Sequence, residues 1–360
     1  MSDNRRCIYT VSSKVRIQDA FLFAFQIGRV LNSNKIDFFI FVSQEIEENF
    51  EVEIPEYFKK SIANVKINIV QPSSFSPNFF LRSHFSRTDI EKVVAFKAYA
   101  LAYLFELNTY DNVTYFDSDV FLVKLIDSNI AIGENLIYIA PHTTNYFNPE
   151  LNIYLRDGAF NSGYFILNFR HKNTLDFINF FCNFCRSYCY HNRNLGLFVD
   201  QKAFDIAHMF FDISVIRNSE TNRAYWNLNE KAKTTLNFDS FFHFSGLNCN
   251  YYHKLSIHSQ KSLSLDIVTL NSLTEYSFLK KSVNSSLFKQ IKIPCCNLIL
   301  NHKINFNFID FNSFSEDYYV TNQFNVSPKI FSKFLSKVGS INFFQKIFKL
   351  MSDQRFLKNN

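Results

Sequence analysis

Apolar and polar positions divide the chain into short apolar runs and longer stretches with helical spacing. Residues 7–11, 36–42 and 65–70 are compact runs of β-branched and aromatic residues, the pattern of strands buried on both faces. Between the first two, Arg16 to Leu31 carries Ala20, Phe21, Ala24, Ile27, Val30 and Leu31 on one helical face. Residues 71–87, with two prolines and several serines, read as a loop. Thr88-Asp89-Ile90-Glu91 then forms a capping box and opens a helix to about Leu107. Further buried strands are expected up to Phe116, over 136–140, behind Gly163 and over 213–216. A strongly apolar helix is expected from Thr174 to Tyr190, and another from about Gln201 to Phe211. Strands alternating with helices, with few hairpin signals, predict an α/β fold with a mainly parallel sheet.

The strand Val113-Thr114-Tyr115-Phe116 runs straight into Asp117-Ser118-Asp119. Ligands of open α/β sheets bind at the carboxyl ends of strands, which puts both carboxylates at the mouth of a cleft. Residues two apart on an extended chain share a face, so both can face one divalent cation. Hard oxygen ligands suit Mg²⁺ or Mn²⁺. The competing reading is a turn that caps the next segment.

Other candidates are distributed along the chain. Lys97 lies inside the helix that precedes this strand, either on a solvated face or near phosphate. Gly158-Ala159-Phe160-Asn161-Ser162-Gly163 allows close backbone approach to a ligand, and Asn161 offers a donor and an acceptor for sugar hydroxyls; a bulge would also explain the glycines. Asp200 reads as a helix N-cap and Gln201 as a first-turn residue. Cys182, Cys185 and Cys189 share one helical face with Ile178 and Phe181, which is core packing, since no second pair stands at zinc spacing. His243 sits among aromatics in Phe241-Phe242-His243-Phe244-Ser245-Gly246. It is either a core histidine or the third member of an Asp/Asp/His set, a mixed donor set that favours Mn²⁺.

Composition narrows the class. In 360 residues, 47% are hydrophobic, enough for a large core, and an extension beyond one average domain is expected. No apolar run approaches 18 residues and no signal-like segment opens the chain, which favours a cytoplasmic location; seven cysteines without framework spacing fit a reducing compartment. The net charge of +6 belongs to the C-terminal part, where residues 280–360 hold 12 Lys/Arg against four Asp/Glu. No nucleic-acid-binding motif is present, so nucleic acid is not an expected partner.

The ordered set of Val94-Ala95-Phe96-Lys97-Ala98-Tyr99, Tyr115-Phe116-Asp117-Ser118-Asp119, Phe160-Asn161-Ser162-Gly163, Val199-Asp200-Gln201, Tyr225-Trp226-Asn227-Leu228 and His243-Phe244-Ser245-Gly246 resembles GT-A-fold glycosyltransferases. It is most similar to the retaining family of glycogenin and the bacterial lipopolysaccharide galactosyltransferases, over about residues 7–260. The resemblance implies a Rossmann-like nucleotide-diphospho-sugar transferase fold, with Asp117, Asp119 and His243 holding Mn²⁺ (or Mg²⁺) on the donor diphosphate. It also implies that Lys97, Asn161, Asp200 and Gln201 approach the donor sugar or phosphates. By the same likeness Thr10 and Val11 lie near the nucleotide, and Ser118, Ser162, Gly163 and Gly246 line the donor site. The family's Lys-Pro-Trp is replaced by Tyr252-His253-Lys254-Leu255, so position alone assigns Lys254 to the diphosphate. Asp200 is the candidate if retention uses a protein nucleophile; front-face attack guided by the leaving phosphate is the other route, and the choice stays open.

The expected organisation is a catalytic domain over 1–265 and a basic, helical extension over 266–360. Ser327-Pro328 is a good helix start, followed by an apolar stripe from Ile330 to Phe348 with Lys329, Lys333 and Lys337 off its centre. Such a helix reads either as a contact with an anionic membrane surface or as an element docked on the catalytic domain. The expected activity is transfer of a hexose from a UDP-sugar to a glycan or lipid-linked acceptor. The alternatives are a non-catalytic glycan- or membrane-binding protein on the same fold, and a protein-modifying glycosyltransferase. A nucleotidylyltransferase is disfavoured because no Gly-rich phosphate loop follows the first strand.

Overall fold

A computed structural model describes residues 5–31, 35–75, 87–125, 133–145, 151–218, 220–228, 239–247, 256, 265–283, 285–300 and 302–304. The chain begins with β1 (Arg6–Ser12), α1 (Ile17–Val30), β2 (Ile36–Val42), β3 (Glu51–Pro55), α2 (Lys59–Ile62) and β4 (Val65–Val70). It continues with α3 (Asp89–Glu106), β5 (Asn112–Phe116), β6 (Val120–Lys124), β7 (Ile137–Pro141), α4 (Leu151–Asp157), β8 (Phe160–Asn168) and α5 (Thr174–Tyr188). Then come β9 (His191–Asn192), β10 (Leu197–Phe198), α6 (Gln201–Ala207), β11 (Ile213–Val215), β12 (Ser240–His243), α7 (Ile267–Ser282) and β13 (Gln290–Pro294).

Seven strands form one sheet in the order β11-β7-β8-β5-β1-β2-β4. All neighbours in it are parallel except β8, which runs antiparallel to both β5 and β7. The expected mainly parallel α/β sheet is therefore observed. Each strand alternates between two cores: Tyr9, Phe41, Tyr115 and Phe165 face α3 and α5, while Ile8, Ile40, Phe116 and Tyr164 face α1. Burial on both faces explains why these strands read as unbroken apolar runs.

α3 starts with the expected capping box, Thr88 accepting from Glu91 N–H while the Glu91 carboxylate takes Thr88 N–H. Cys182, Cys185 and Cys189 are fully buried against α3, as core thiols. The helix after Asp200 ends at Ala207, a turn before the expected Phe211. Besides the local β9–β10 pair, two pairings between distant segments are not marked in the sequence: β3 with β13, and β6 with β12. Through β13, and through Leu273, Tyr276 and Leu279 of α7, the first part of the C-terminal stretch packs on the α1 side of the sheet. Lys254 and the helix expected from Ser327 lie outside the described residues. No helix among the described residues is long and apolar enough to cross a membrane.

A buried ionic cluster fixes the β6–β12 ribbon to the sheet. Asp239, just before β12, pairs with Arg6 of β1 and accepts the Tyr164 hydroxyl at 2.8 Å, while Arg6 Nε donates to Thr114 Oγ1 at 2.8 Å. Asp239 is fully buried, so its partners set its position.

Candidate functional site

Where β5 ends, the Asp117 N–H donates to the Gly163 carbonyl at 2.8 Å, extending the β5–β8 ladder by one bond. The chain then turns through Ser118 and re-enters as β6, whose Val120 stands opposite His243 of β12. Phe244 N–H donates to the Asp119 carbonyl at 3.0 Å and closes that register. Strand pairing, rather than closeness in sequence, therefore brings His243 beside the two carboxylates. His243 Nε2 lies 3.2 Å from Asp119 Oδ1 and 3.6 Å from Asp117 Oδ2. One candidate ligand atom from each of Asp117, Asp119 and His243 falls within 4.8 Å of the others. Two carboxylate oxygens and one imidazole nitrogen suit Mn²⁺ or Mg²⁺ as donors, and the space between them is closed on one side by Gly163. A Cβ there would stand 2.5 Å from His243 Cε1 and 2.8 Å from both Asp117 Oδ2 and Asn161 Oδ1.

Charge in the site is arranged around Lys97, which is 2% exposed. Its ammonium stands 3.3 Å from Asp117 Oδ1 and 3.1 Å from Asp200 Oδ2, and donates to the Ser162 carbonyl at 3.2 Å. It also lies over the Tyr115 ring, 4.7 Å from the centroid. Burial alone would pull Lys97 down, but Asp117 and Asp200 outweigh it and hold the ammonium protonated. Burial pushes the Asp200 carboxyl up, opposed by Lys97. Burial also opposes ionisation of Asp119, yet His243, Arg16 and Lys280 outweigh it and keep its carboxyl well below the usual range. For His243, burial acts downward and is overcome by Asp119 and Asp117, so the imidazole is raised. Burial, reinforced by Asp117, keeps Tyr115 a phenol that donates to Asp117 Oδ1.

Asp200 occupies the N-cap position of α6 but makes no capping bond; its carboxylate is sealed from solvent and turned to Lys97. Asn161 makes its bonds inward: its oxygen accepts from Gly163 N–H and Asn222, and its amide group donates to Gln201 and lies 3.4 Å from His142. Gln201 in turn donates to the Asp157 carbonyl at 3.1 Å. Thr10 and Val11 lie buried near the end of β1, and the Thr10 hydroxyl has no partner among the described residues. Ser118 is half-buried between the two aspartates, and Gly246 turns the chain after β12 with φ of 66°.

Three contributors were not singled out from the sequence. Tyr115 is two residues before Asp117 on an extended strand, so the shared face was a usable signal. His142 stands one residue past the end of β7 and is buried; burial lowers it to about 4, keeping it neutral. Asn222 adopts φ of 60° and is buried, which no local pattern announces.

No protein-family model matches the chain, and no curated protein matches it. Among solved structures, it is similar to the galactosyltransferase LgtC in complex with donor and acceptor sugar analogs, at 14% identity, 78% of this chain, 96% of that chain and a TM-score of 0.44. It is also similar to the glycosyltransferase GlyE of Streptococcus pneumoniae, at 13% identity over 78% of this chain and 63% of that one, with a TM-score of 0.43. The bifunctional glycosyltransferase WbbM gives 14% identity, 79% of this chain, 52% of that one and a TM-score of 0.44. The chain thus spans less than two thirds of the GlyE and WbbM chains.

Proposed function

We propose that the chain is a metal-dependent glycosyltransferase of GT-A type, moving a hexose from a UDP-sugar to a glycan or lipid-linked acceptor in the cytoplasm. The observation that carries this reading is the convergence of Asp117, Asp119 and His243 at the carboxyl end of β5, with a buried lysine beside them. In this reading the three side chains hold Mn²⁺ or Mg²⁺, which when bound supplies positive charge to a leaving nucleotide diphosphate. Lys97, kept protonated, adds a fixed positive charge in a site where low polarity strengthens it. Asp200 acts as the counter-ion that fixes Lys97, and Gly163 keeps the ligands close enough to share one cation. Thr10 and Val11 are assigned to the nucleotide side, Ser118, Ser162 and Gly246 to the donor-site lining, and Gln201 with Asn161 to the sugar side.

The test is a screen of UDP-glucose, UDP-galactose and UDP-N-acetylglucosamine for UDP release with Mn²⁺, with and without EDTA. Asp119→Asn should lower the rate by about 10²–10³ while the protein stays folded, because an electrostatic element is lost rather than packing. Failure to consume any donor, or EDTA-resistant turnover with Asp119→Asn near wild type, would overturn the reading.

A further inference from the structure

The side chains behind the metal ligands form a hydrogen-bond chain whose direction is fixed by backbone groups. Gly163 N–H can only donate, and it donates to Asn161 Oδ1 at 3.1 Å. The Asn161 Nδ2 group must then face the other way, donating to Gln201 Oε1 at 3.0 Å with His142 Nε2 3.4 Å off. Both of those acceptors are themselves set by carbonyls, which can only accept. Gln201 Nε2 donates to the Asp157 carbonyl at 3.1 Å, and His142 Nδ1 donates to the Gly158 carbonyl at 2.8 Å. Three main-chain groups thus agree on one orientation of the Asn161 amide.

That orientation propagates to the metal ligands. Asn161 Oδ1 accepts from Asn222 Nδ2 at 3.1 Å, so Asn222 turns its oxygen to His243 Nδ1, 3.0 Å away. An amide oxygen only accepts, so the Nδ1 nitrogen carries a proton and Nε2 is the nitrogen left for a cation. Asn222 is held for this contact. It sits at φ of 60°, which Asn tolerates better than most residues, and the Asn227 side chain brackets it. Asn227 Nδ2 donates to the Asn222 carbonyl at 3.1 Å, and its oxygen takes Ala224 N–H at 2.8 Å.

We propose that Asn222 is a positioning residue of the metal centre, fixing the His243 ring with Nε2 toward the cation and taking its own orientation from Asn161. The inference rests on the metal reading above. It makes Asn161 and Gln201, expected from the sequence as donor contacts, part of the same hydrogen-bonded unit as His243. It also gives Asn227 a task, since its side chain secures the turn that presents Asn222.

The test is Mn²⁺ affinity, read from the electron paramagnetic resonance of free Mn²⁺, beside the melting temperature without metal. Asn222→Gly keeps the left-handed backbone but removes the side chain, and should weaken Mn²⁺ binding about ten- to a hundredfold. Asn222→Asp keeps the acceptor for His243 Nδ1 while losing the donor to Asn161, and should bind Mn²⁺ close to wild type. A purely structural role would make affinity follow melting temperature in both variants; the proposal makes it follow the acceptor at position 222. A second pair acts one step further back. Asn161→Asp keeps the oxygen that orients Asn222 and should retain affinity, whereas Asn161→Leu frees the amide and should lose it. Should Asn222→Gly fail to fold, this pair decides. Equal Mn²⁺ affinity within the pair that is read overturns the inference alone. A wild-type protein that binds no Mn²⁺ overturns the metal reading with it.

Discussion

Gly163→Ala tests whether three side chains converge as closely as the structure has them. The new methyl group would stand 2.5 Å from His243 Cε1, and 2.8 Å from Asp117 Oδ2 and Asn161 Oδ1. Carbon atoms in contact sit about 3.5–4.0 Å apart, so the His243 ring must retreat by about 1 Å. Asp117 cannot absorb the strain for it, since Lys97 and Tyr115 hold its other oxygen. Metal sites tolerate errors of about 0.2 Å in ligand distance, so a retreat of that size removes His243 from the set. Loss of one ligand's geometry should weaken Mn²⁺ binding at least about tenfold. Overpacking itself should cost about 1–3 kcal/mol, a few degrees in melting temperature for a chain of this length. Isothermal titration with Mn²⁺ and a melting scan of the metal-free protein read the two effects separately. Unchanged affinity alongside a lowered melting temperature would show that Asp117 and His243 do not share a cation. If neither quantity moves, the close approach at Gly163 is refuted.

Other predictions concern stability. Asp239→Ala leaves Arg6 charged and buried without its carboxylate, and should cost about 3–5 kcal/mol in denaturant unfolding; a loss under 1 kcal/mol would mean that the cluster is not desolvated. Gly28→Ala drives a methyl group to within 2.0 Å of the Ser61 carbonyl, where α1 meets α2, and should cost about 1–3 kcal/mol without altering Mn²⁺ affinity of the folded protein. The His142 imidazole, lowered by burial to about 4 from 6.5, binds its proton more readily in the unfolded chain. The His142 contribution to stability should therefore be complete above pH 6.5 and fall by about 3 kcal/mol by the time the pH passes below 4. Urea unfolding between pH 7 and 4 should show a shallower pH slope for His142→Gln than for wild type, and equal slopes would reject the assignment.

The sheet was legible because its strands are buried on both faces. β2 and β4 occupy the residues that their apolar runs marked, and the capping box placed the start of α3. Much of what stayed hidden in the sheet is pairing between segments far apart in sequence. β3 reads Glu-Val-Glu-Ile-Pro, an alternating edge whose partner β13 lies more than 200 residues away, and nothing local distinguishes it from a loop. The β6–β12 ribbon is similar, since Val120 and His243 become neighbours only through their register. Sequence could offer His243 as a candidate, but not the pairing that delivers it to Asp119.

The site divides along the same line. Groups that would touch a cation or phosphate are of few chemical types, and Asp117, Asp119, His243 and Lys97 could be picked by type and order. The groups that orient them are ordinary amides and aromatics, whose roles depend on which way they face. Asp200 illustrates the difference: its place before a helix suggested a cap, yet burial beside Lys97 turns the same carboxylate into a counter-ion. Asn161 was expected to offer its donor and acceptor to a sugar, and the structure uses them on Gly163, Gln201, Asn222 and His142. Removing the Asn161 oxygen, as in Asn161→Leu, should therefore reach the metal as well as the sugar. In the proposed reading one hydrogen-bonded unit serves both, so in Asn161→Leu selectivity between hexoses and dependence on Mn²⁺ should change together.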